Sequence, residues 1–200
     1  MLVSVYEQVL RLDSLAPKRA KGVALALLAL AATAPLTACD LIHLGPGPTL
    51  QVHKLSQLPK PLPFPYDENA TPDQVSAEVD AAFAKAKTEN RRVILDLGGN
   101  WCSWCRMLAA TMALPEAKSF IDRNFEVVSV DVSKAKGKTD NNLALLHRFN
   151  LNTIPGFPWL IVAEPDGKVL NSSYEITDEH HQTPQSMVDW LAKWSKEPRQ

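Results

Sequence analysis

The stretch Arg92-Val-Ile-Leu-Asp-Leu-Gly-Gly-Asn-Trp-Cys-Ser-Trp-Cys-Arg106 decides how the rest of the chain is read. Its first half, 92–97, is a short apolar run rich in β-branched residues, the pattern of a buried strand. Gly98-Gly99-Asn100 ends the run and is predicted to permit a tight strand-to-helix turn. A helix is predicted from Cys102 to about Leu114. A Cys-x-x-Cys at a helix start has a physical logic. The first cysteine lies where unpaired backbone N–H groups and the helix dipole favour an anion, so its thiol pKa can fall from ~8.5 to ~3.5–7.5. The second, Cys105, lies one turn later on the same side, where it can attack a mixed disulfide formed at Cys102.

Working outward, Thr71-Pro72-Asp73-Gln74 carries a helix start. Thr71 can cap, Pro72 suits the first helical position, and Gln74 completes a capping box. Val75, Val79, Ala82 and Ala86 then form an apolar stripe as far as Thr88. Residues 125–132 (FEVVSVDV) read as a second strand, 134–140 as polar loop, and 141–149 as a helix with Leu143, Leu146 and Phe149 on one side. A third strand is predicted at 158–163 and a fourth around 168–172, joined by the turn signal Glu164-Pro165-Asp166-Gly167. Thr183-Pro184 opens a last helix with Met187, Trp190, Leu191 and Trp194 on one face. The order is βαβ-like first, then a hairpin and a helix. It predicts a single α/β domain over 71–197, a central mixed β-sheet flanked by helices, without internal repeats.

The composition excludes several classes. Of 200 residues, 21 are Lys or Arg and 22 are Asp or Glu, a net charge of −1, which argues against nucleic-acid binding through bulk positive charge. Three cysteines exclude a multi-disulfide scaffold. A structural zinc site needs four ligands, and His147, His180 and His181 lack metal-ligand spacing with the Cys-x-x-Cys, so no metal is assigned. Gly98-Gly99 lacks the spaced glycines and lysine of a phosphate loop.

The N-terminal part reads as an export segment. Lys18, Arg19 and Lys21 precede the apolar run 23–32, VALALLALAA, in the order of a secretory signal. Leu36-Thr37-Ala38-Cys39 resembles the bacterial lipobox. That resemblance implies cleavage after residue 38 and lipid on the Cys39 thiol, with acyl chains holding the domain on a membrane at ~0.8 kcal/mol per buried methylene. The alternative is an ordinary signal peptide with a chance cysteine. Asp40 resembles the residue that retains such proteins at the inner membrane in enteric bacteria. Residues 39–70, with Pro46, Pro48, Pro59, Pro61, Pro63 and Pro65, are predicted to be an extended tether, on which Leu62, Phe64 and Tyr66 are the residues able to dock.

The central stretch resembles the thioredoxin superfamily. Trp101 immediately before the first cysteine and Asp96 six positions before it fit that family. So does Pro158, at the edge of the 158–163 strand, where the family carries a cis-proline facing its cysteines. The resemblance implies a thioredoxin-like fold over roughly 73–197, closest to the periplasmic domains of disulfide reductases. It implies Cys102 as attacking nucleophile, Cys105 as resolving thiol, and the two as a redox-active disulfide. Asp96 would be the buried base for Cys105, and Trp101, Trp104, Phe157 and Pro158 the substrate surface, Phe157 presenting its backbone to a peptide. Two departures stand out. Ser103-Trp104 replaces the Gly-Pro of cytoplasmic thioredoxin, and the 126–132 strand lacks the lysine that thioredoxins place near the acid; Lys134 and Arg106 lie nearby in sequence, and neither is an obvious substitute.

The function expected is a lipid-anchored thiol–disulfide oxidoreductase of the bacterial envelope, facing the periplasm. It would reduce disulfides in exported proteins and be recharged by a membrane electron donor, with no cofactor and no metal. An oxidase or isomerase is the alternative within the enzyme class. Outside it, a thioredoxin-fold binding module would hold client proteins along the Phe157-Pro158 edge.

Overall fold

The computed structural model describes residues 46–132, 142–178 and 180–196. The signal segment, Cys39, Asp40 and the whole polar loop predicted at 134–140, Lys134 included, lie outside them. The elements are α1 (Pro72–Thr88), β1 (Arg92–Gly98), α2 (Ser103–Met112), α3 (Pro115–Asn124), β2 (Phe125–Asp131), β3 (Trp159–Ala163), β4 (Val169–Ser173) and α4 (Pro184–Ala192). A 3₁₀ segment, Leu143–Phe149, stands where a helix was predicted at 141–149.

The sheet runs β2-β1-β3-β4. β1 pairs parallel with β2, from Arg92 opposite Phe125 to Gly98 opposite Asp131. β3 pairs antiparallel with β1, and β4 antiparallel with β3. The sheet is therefore mixed, and β1 lies inside it with both faces covered. That is why 92–98 reads as a continuous apolar run rather than an alternating one.

Period-2 alternation sorts the side chains of β1 to two cores. Val93, Leu95 and Leu97 pack with Val75, Val79, Ala82 and Ala86 of α1 and with Leu145, Leu146 and Phe149. Ile94 packs on the other face with Leu108 of α2, Phe120 and Ile121 of α3, and Met187, Trp190 and Leu191 of α4. The capping box of α1 forms as predicted, Thr71 accepting from the Gln74 N–H and the Gln74 side chain reaching back. The β3–β4 turn places Gly167 at φ +90°, in the region that favours glycine.

Two expectations are corrected. The helix predicted to run from Cys102 to Leu114 stops at Met112, and α3 follows at once. Leu114 is its N-cap, Pro115 its first residue, and Ala117, Phe120 and Ile121 its buried stripe. The segment predicted as a free tether is packed onto the domain from residue 46. Leu50 and Leu58 are 1% and 2% exposed and belong to the α2–α3–α4 core. Gly47 N–H donates to Asp189 Oδ1 at 3.0 Å, Leu50 N–H donates to Gln185 Oε1 at 2.8 Å, and Gln185 Nε2 returns a bond to Pro48 O at 3.0 Å. The prolines of this strap carry no N–H donor, and a 3₁₀ segment, Leu55–Gln57, interrupts it. Its widely spaced apolar side chains, each worth ~1.5–3 kcal/mol on burial, bind it to the core.

Candidate redox site

Cys102 and Cys105 are joined as a disulfide with Cα atoms 5.3 Å apart. Cys102 is the N-cap of α2. Its backbone is extended, and its Sγ accepts the Cys105 N–H at 3.1 Å. A sulfur anion at Cys102 would thus meet a backbone donor and the positive end of a ten-residue helix. Cys102 is nearly buried and Cys105 fully so. The outer sulfur is the one a partner can reach first.

The approach to it is aromatic. Trp101 is 59% exposed, and its indole stands edge-on to the Phe157 ring, centroids 5.3 Å apart. Trp104 and Phe157 pack against the cluster that Cys102 and Cys105 form with Tyr66. The Phe157–Pro158 peptide is cis, and Pro158 is buried at the start of β3. Trp104 and Phe157 therefore flank the cysteine pair, Trp101 joins them through Phe157, and Pro158 follows Phe157 in the chain.

Asp96 is fully buried on the face of β1 that carries Ile94. Burial raises its pKa to about 7, and a hydrogen bond from Tyr66 partly offsets this. Tyr66 Oη donates to Asp96 Oδ1 at 3.0 Å, while Asp96 Oδ2 is buried without a hydrogen-bond partner among the described residues. Burial and the neighbouring carboxylates of Asp96 and Asp131 hold the phenol protonated. Arg106 does not serve Asp96. It donates to Leu62 O at 2.7 Å and Pro63 O at 3.0 Å, with its guanidinium 3.9 Å from the Phe64 ring centroid.

The paired glycines act through space rather than turn geometry. A Cβ on Gly98 would stand 2.5 Å from Tyr66 Oη and 2.8 Å from Cys105 Sγ. A Cβ on Gly99 would stand 2.4 Å from Trp101 Nε1. Three residues of the site went unassigned in the sequence reading: Tyr66, Asn100 and Asp131. Tyr66 was noted only as able to dock. The signal was a buried-type phenol ending a proline run, which needs a polar partner. Asn100, within the loop, exchanges bonds with the Tyr66 backbone, and Asp131 is buried at the β2 end opposite Gly98. Among the described residues no group of three or more His, Cys, Asp or Glu is placed to hold a metal.

A mixed sheet with a cysteine pair capping the helix after an inner strand, and a cis-proline just before the next strand of the sheet, defines a thioredoxin-like domain. Comparison with known proteins agrees. The family model of the thioredoxin-like domain matches residues 79–176. Among solved structures, the disulphide isomerase from Xylella fastidiosa Temecula1 is 31% identical with a TM-score of 0.56, over 66% of this chain and 97% of that one. A thioredoxin from Thermus thermophilus is 18% identical over 56% and 80% of the two chains, with a TM-score of 0.42. The C-terminal domain of DsbD from Neisseria meningitidis is 23% identical over 60% and 94%, with a TM-score of 0.39. No curated protein matches the chain. The chain belongs to the thioredoxin superfamily.

Proposed function

We propose that the protein is a thiol–disulfide oxidoreductase that reduces disulfides in exported proteins. The observation carrying this reading is the Cys102–Cys105 pair at the head of α2, with the outer sulfur under an exposed aromatic rim and the inner one sealed against Tyr66, whose hydroxyl binds Asp96. In the dithiol form, the Cys102 thiolate attacks a substrate disulfide. One substrate sulfur leaves as a thiolate, and the other stays bonded to Cys102. Cys105 then gives its proton to Asp96 and attacks Cys102 Sγ. The second substrate thiolate leaves, and the pair is oxidised by two electrons as the substrate disulfide is reduced. Trp101 and Phe157 hold the peptide, and the chain before Pro158 offers backbone for strand-like pairing. A membrane dithiol donor restores the reduced pair. Lipid on Cys39 holds the domain at the periplasmic face of a bacterial membrane, the inner one by Asp40.

The test is direct. Cys102→Ser loses disulfide exchange, and Cys105→Ser accumulates a mixed disulfide with substrate, read by non-reducing electrophoresis. Full exchange activity in Cys102→Ser would overturn the reading. Equilibration with glutathione or dithiothreitol reads direction: a potential near about −270 mV supports a reductase, and one near about −120 mV an oxidant.

A second reading, isomerase, is favoured by the name of the 31%-identical relative. It requires that the reduced protein reactivate a scrambled substrate catalytically, without net change in its thiol count.

A further inference from the structure

The strap that packs across the domain brings one polar side chain into the buried part of the redox site. Tyr66 lies outside the 79–176 stretch that matches the family model, and its ring is 3% exposed. Its hydroxyl meets Asp96 Oδ1 at 3.0 Å. Both the hydroxyl and Cys105 Sγ press on the same bare point of β1, Gly98, where a Cβ would stand 2.5 and 2.8 Å from them. The Tyr66 backbone is clamped by Asn100, whose Oδ1 accepts the Tyr66 N–H at 3.2 Å and whose Nδ2 donates to Tyr66 O at 2.8 Å.

We propose that Tyr66 is a positioning residue for proton release from Cys105: its hydroxyl fixes the Asp96 carboxyl through Oδ1 and leaves Oδ2 as the oxygen that takes the proton. This rests on the oxidoreductase reading and deepens it. The chemistry is a plain transfer: the Cys105 S–H bond breaks, an O–H bond forms at Asp96, and the thiolate is left to close the disulfide. Tyr66 gives up no proton, because its burial, and then the carboxylates around it, keep the phenol protonated. A hydrogen bond to the ionised form of Asp96 lowers its affinity for a proton, so the phenol keeps this carboxyl ionisable near neutral pH despite full burial.

Tyr66, from the strap, is the group bonded to Asp96, and its ring packs with Cys102 and Cys105 from the start of α2, while the Asp131 carboxylate from the end of β2 acts on the phenol. Among the described residues no cation contributes to the Asp96 shift, so the phenol is the group that favours its charged form.

The experiment compares wild type, Tyr66→Phe and Asp96→Asn, all reduced. The carboxyl of Asp96 is followed by ¹³C NMR against pH, a readout that needs no enzymatic turnover. In Tyr66→Phe its midpoint should rise by about one pH unit, the size a hydrogen bond to a carboxylate carries. Resolution of a preformed Cys102 mixed disulfide should slow about tenfold at pH 6 and converge on wild type by pH 9. A uniform slowing at all pH values marks a merely structural role and overturns the proposal, as does an unmoved midpoint. If Tyr66→Phe does not fold, 3-fluorotyrosine placed at position 66 keeps the ring and makes the phenol a stronger donor. The midpoint must then fall, and an unmoved one overturns the proposal. Loss of the oxidoreductase reading looks different: wild type itself would fail to exchange disulfides, whatever the carboxyl titration shows.

Discussion

Asn100 binds the backbone of Tyr66 at both ends, accepting its N–H and donating to its carbonyl, although the two are 34 positions apart in the chain. A side-chain amide here does what a neighbouring strand would do, so the loop before the cysteines and the end of the strap move as one piece. Asn100→Ala leaves two strap groups unpartnered and should raise amide exchange across 58–66 while leaving that of β1 and β3 unchanged. Hydrogen exchange read by mass spectrometry checks it. Unchanged exchange in the strap would show that Arg106 and the apolar anchors hold it alone.

The strap is part of the core. Leu50→Ala or Leu58→Ala should destabilise the domain by about 2–5 kcal/mol, as for any fully buried leucine. A chain beginning at residue 71 should unfold at clearly lower denaturant than one beginning at 46. Equal midpoints for the two would return 46–70 to the role of a free tether.

Asp96 carries a sign that can be worked out. Its folded pKa, about 7, lies above the ordinary 3.8, so the folded state binds more protons than the unfolded state between those values. Stability therefore falls as pH rises from about 4 to about 7 and is flat beyond. Asp96→Asn removes that slope. Its advantage over wild type should be absent near pH 3, grow through the window and reach a few kcal/mol at pH 8. Denaturant midpoints at pH 3, 5 and 8 test this. Mixed-disulfide resolution in the same variant should be slower at every pH.

Gly98→Ala drives a methyl group into Tyr66 Oη and Cys105 Sγ. Overpacking of this kind costs about 1–3 kcal/mol. Adding Tyr66→Phe removes the nearest atom and should recover part of the loss, leaving the clash with the sulfur and the ring carbon. A double-mutant cycle measures the coupling, and strict additivity would mean that the backbone shifts to make room.

The elements built from strong local signals were legible. The capping box at Thr71, the apolar run at 92–97, the turn at 164–167 and the Thr183-Pro184 start each appear within a residue or two of expectation. Helix α3 escaped because its apolar stripe is three side chains in an otherwise polar segment. The strap escaped because proline density reports backbone conformation and not docking. Leu50, Leu58 and Tyr66 are too far apart to show any period. Within the site, the cysteines and their aromatic surroundings came from one contiguous motif and one later proline. Tyr66 reaches the cysteine pair, and Asp131 acts on Tyr66, only through tertiary packing, which no spacing in the chain encodes.

The docked strap also sets a radius of action. A free chain from Cys39 to Thr71 could carry the domain about 110 Å from its point of attachment. With the strap fixed from Gly47 onward, eight residue steps remain between Cys39 and the first anchored amide, and the leash shortens to about 28 Å. On the proposed lipid anchor, the domain would therefore patrol only a thin layer above the bilayer. Any partner would have to meet it inside that layer.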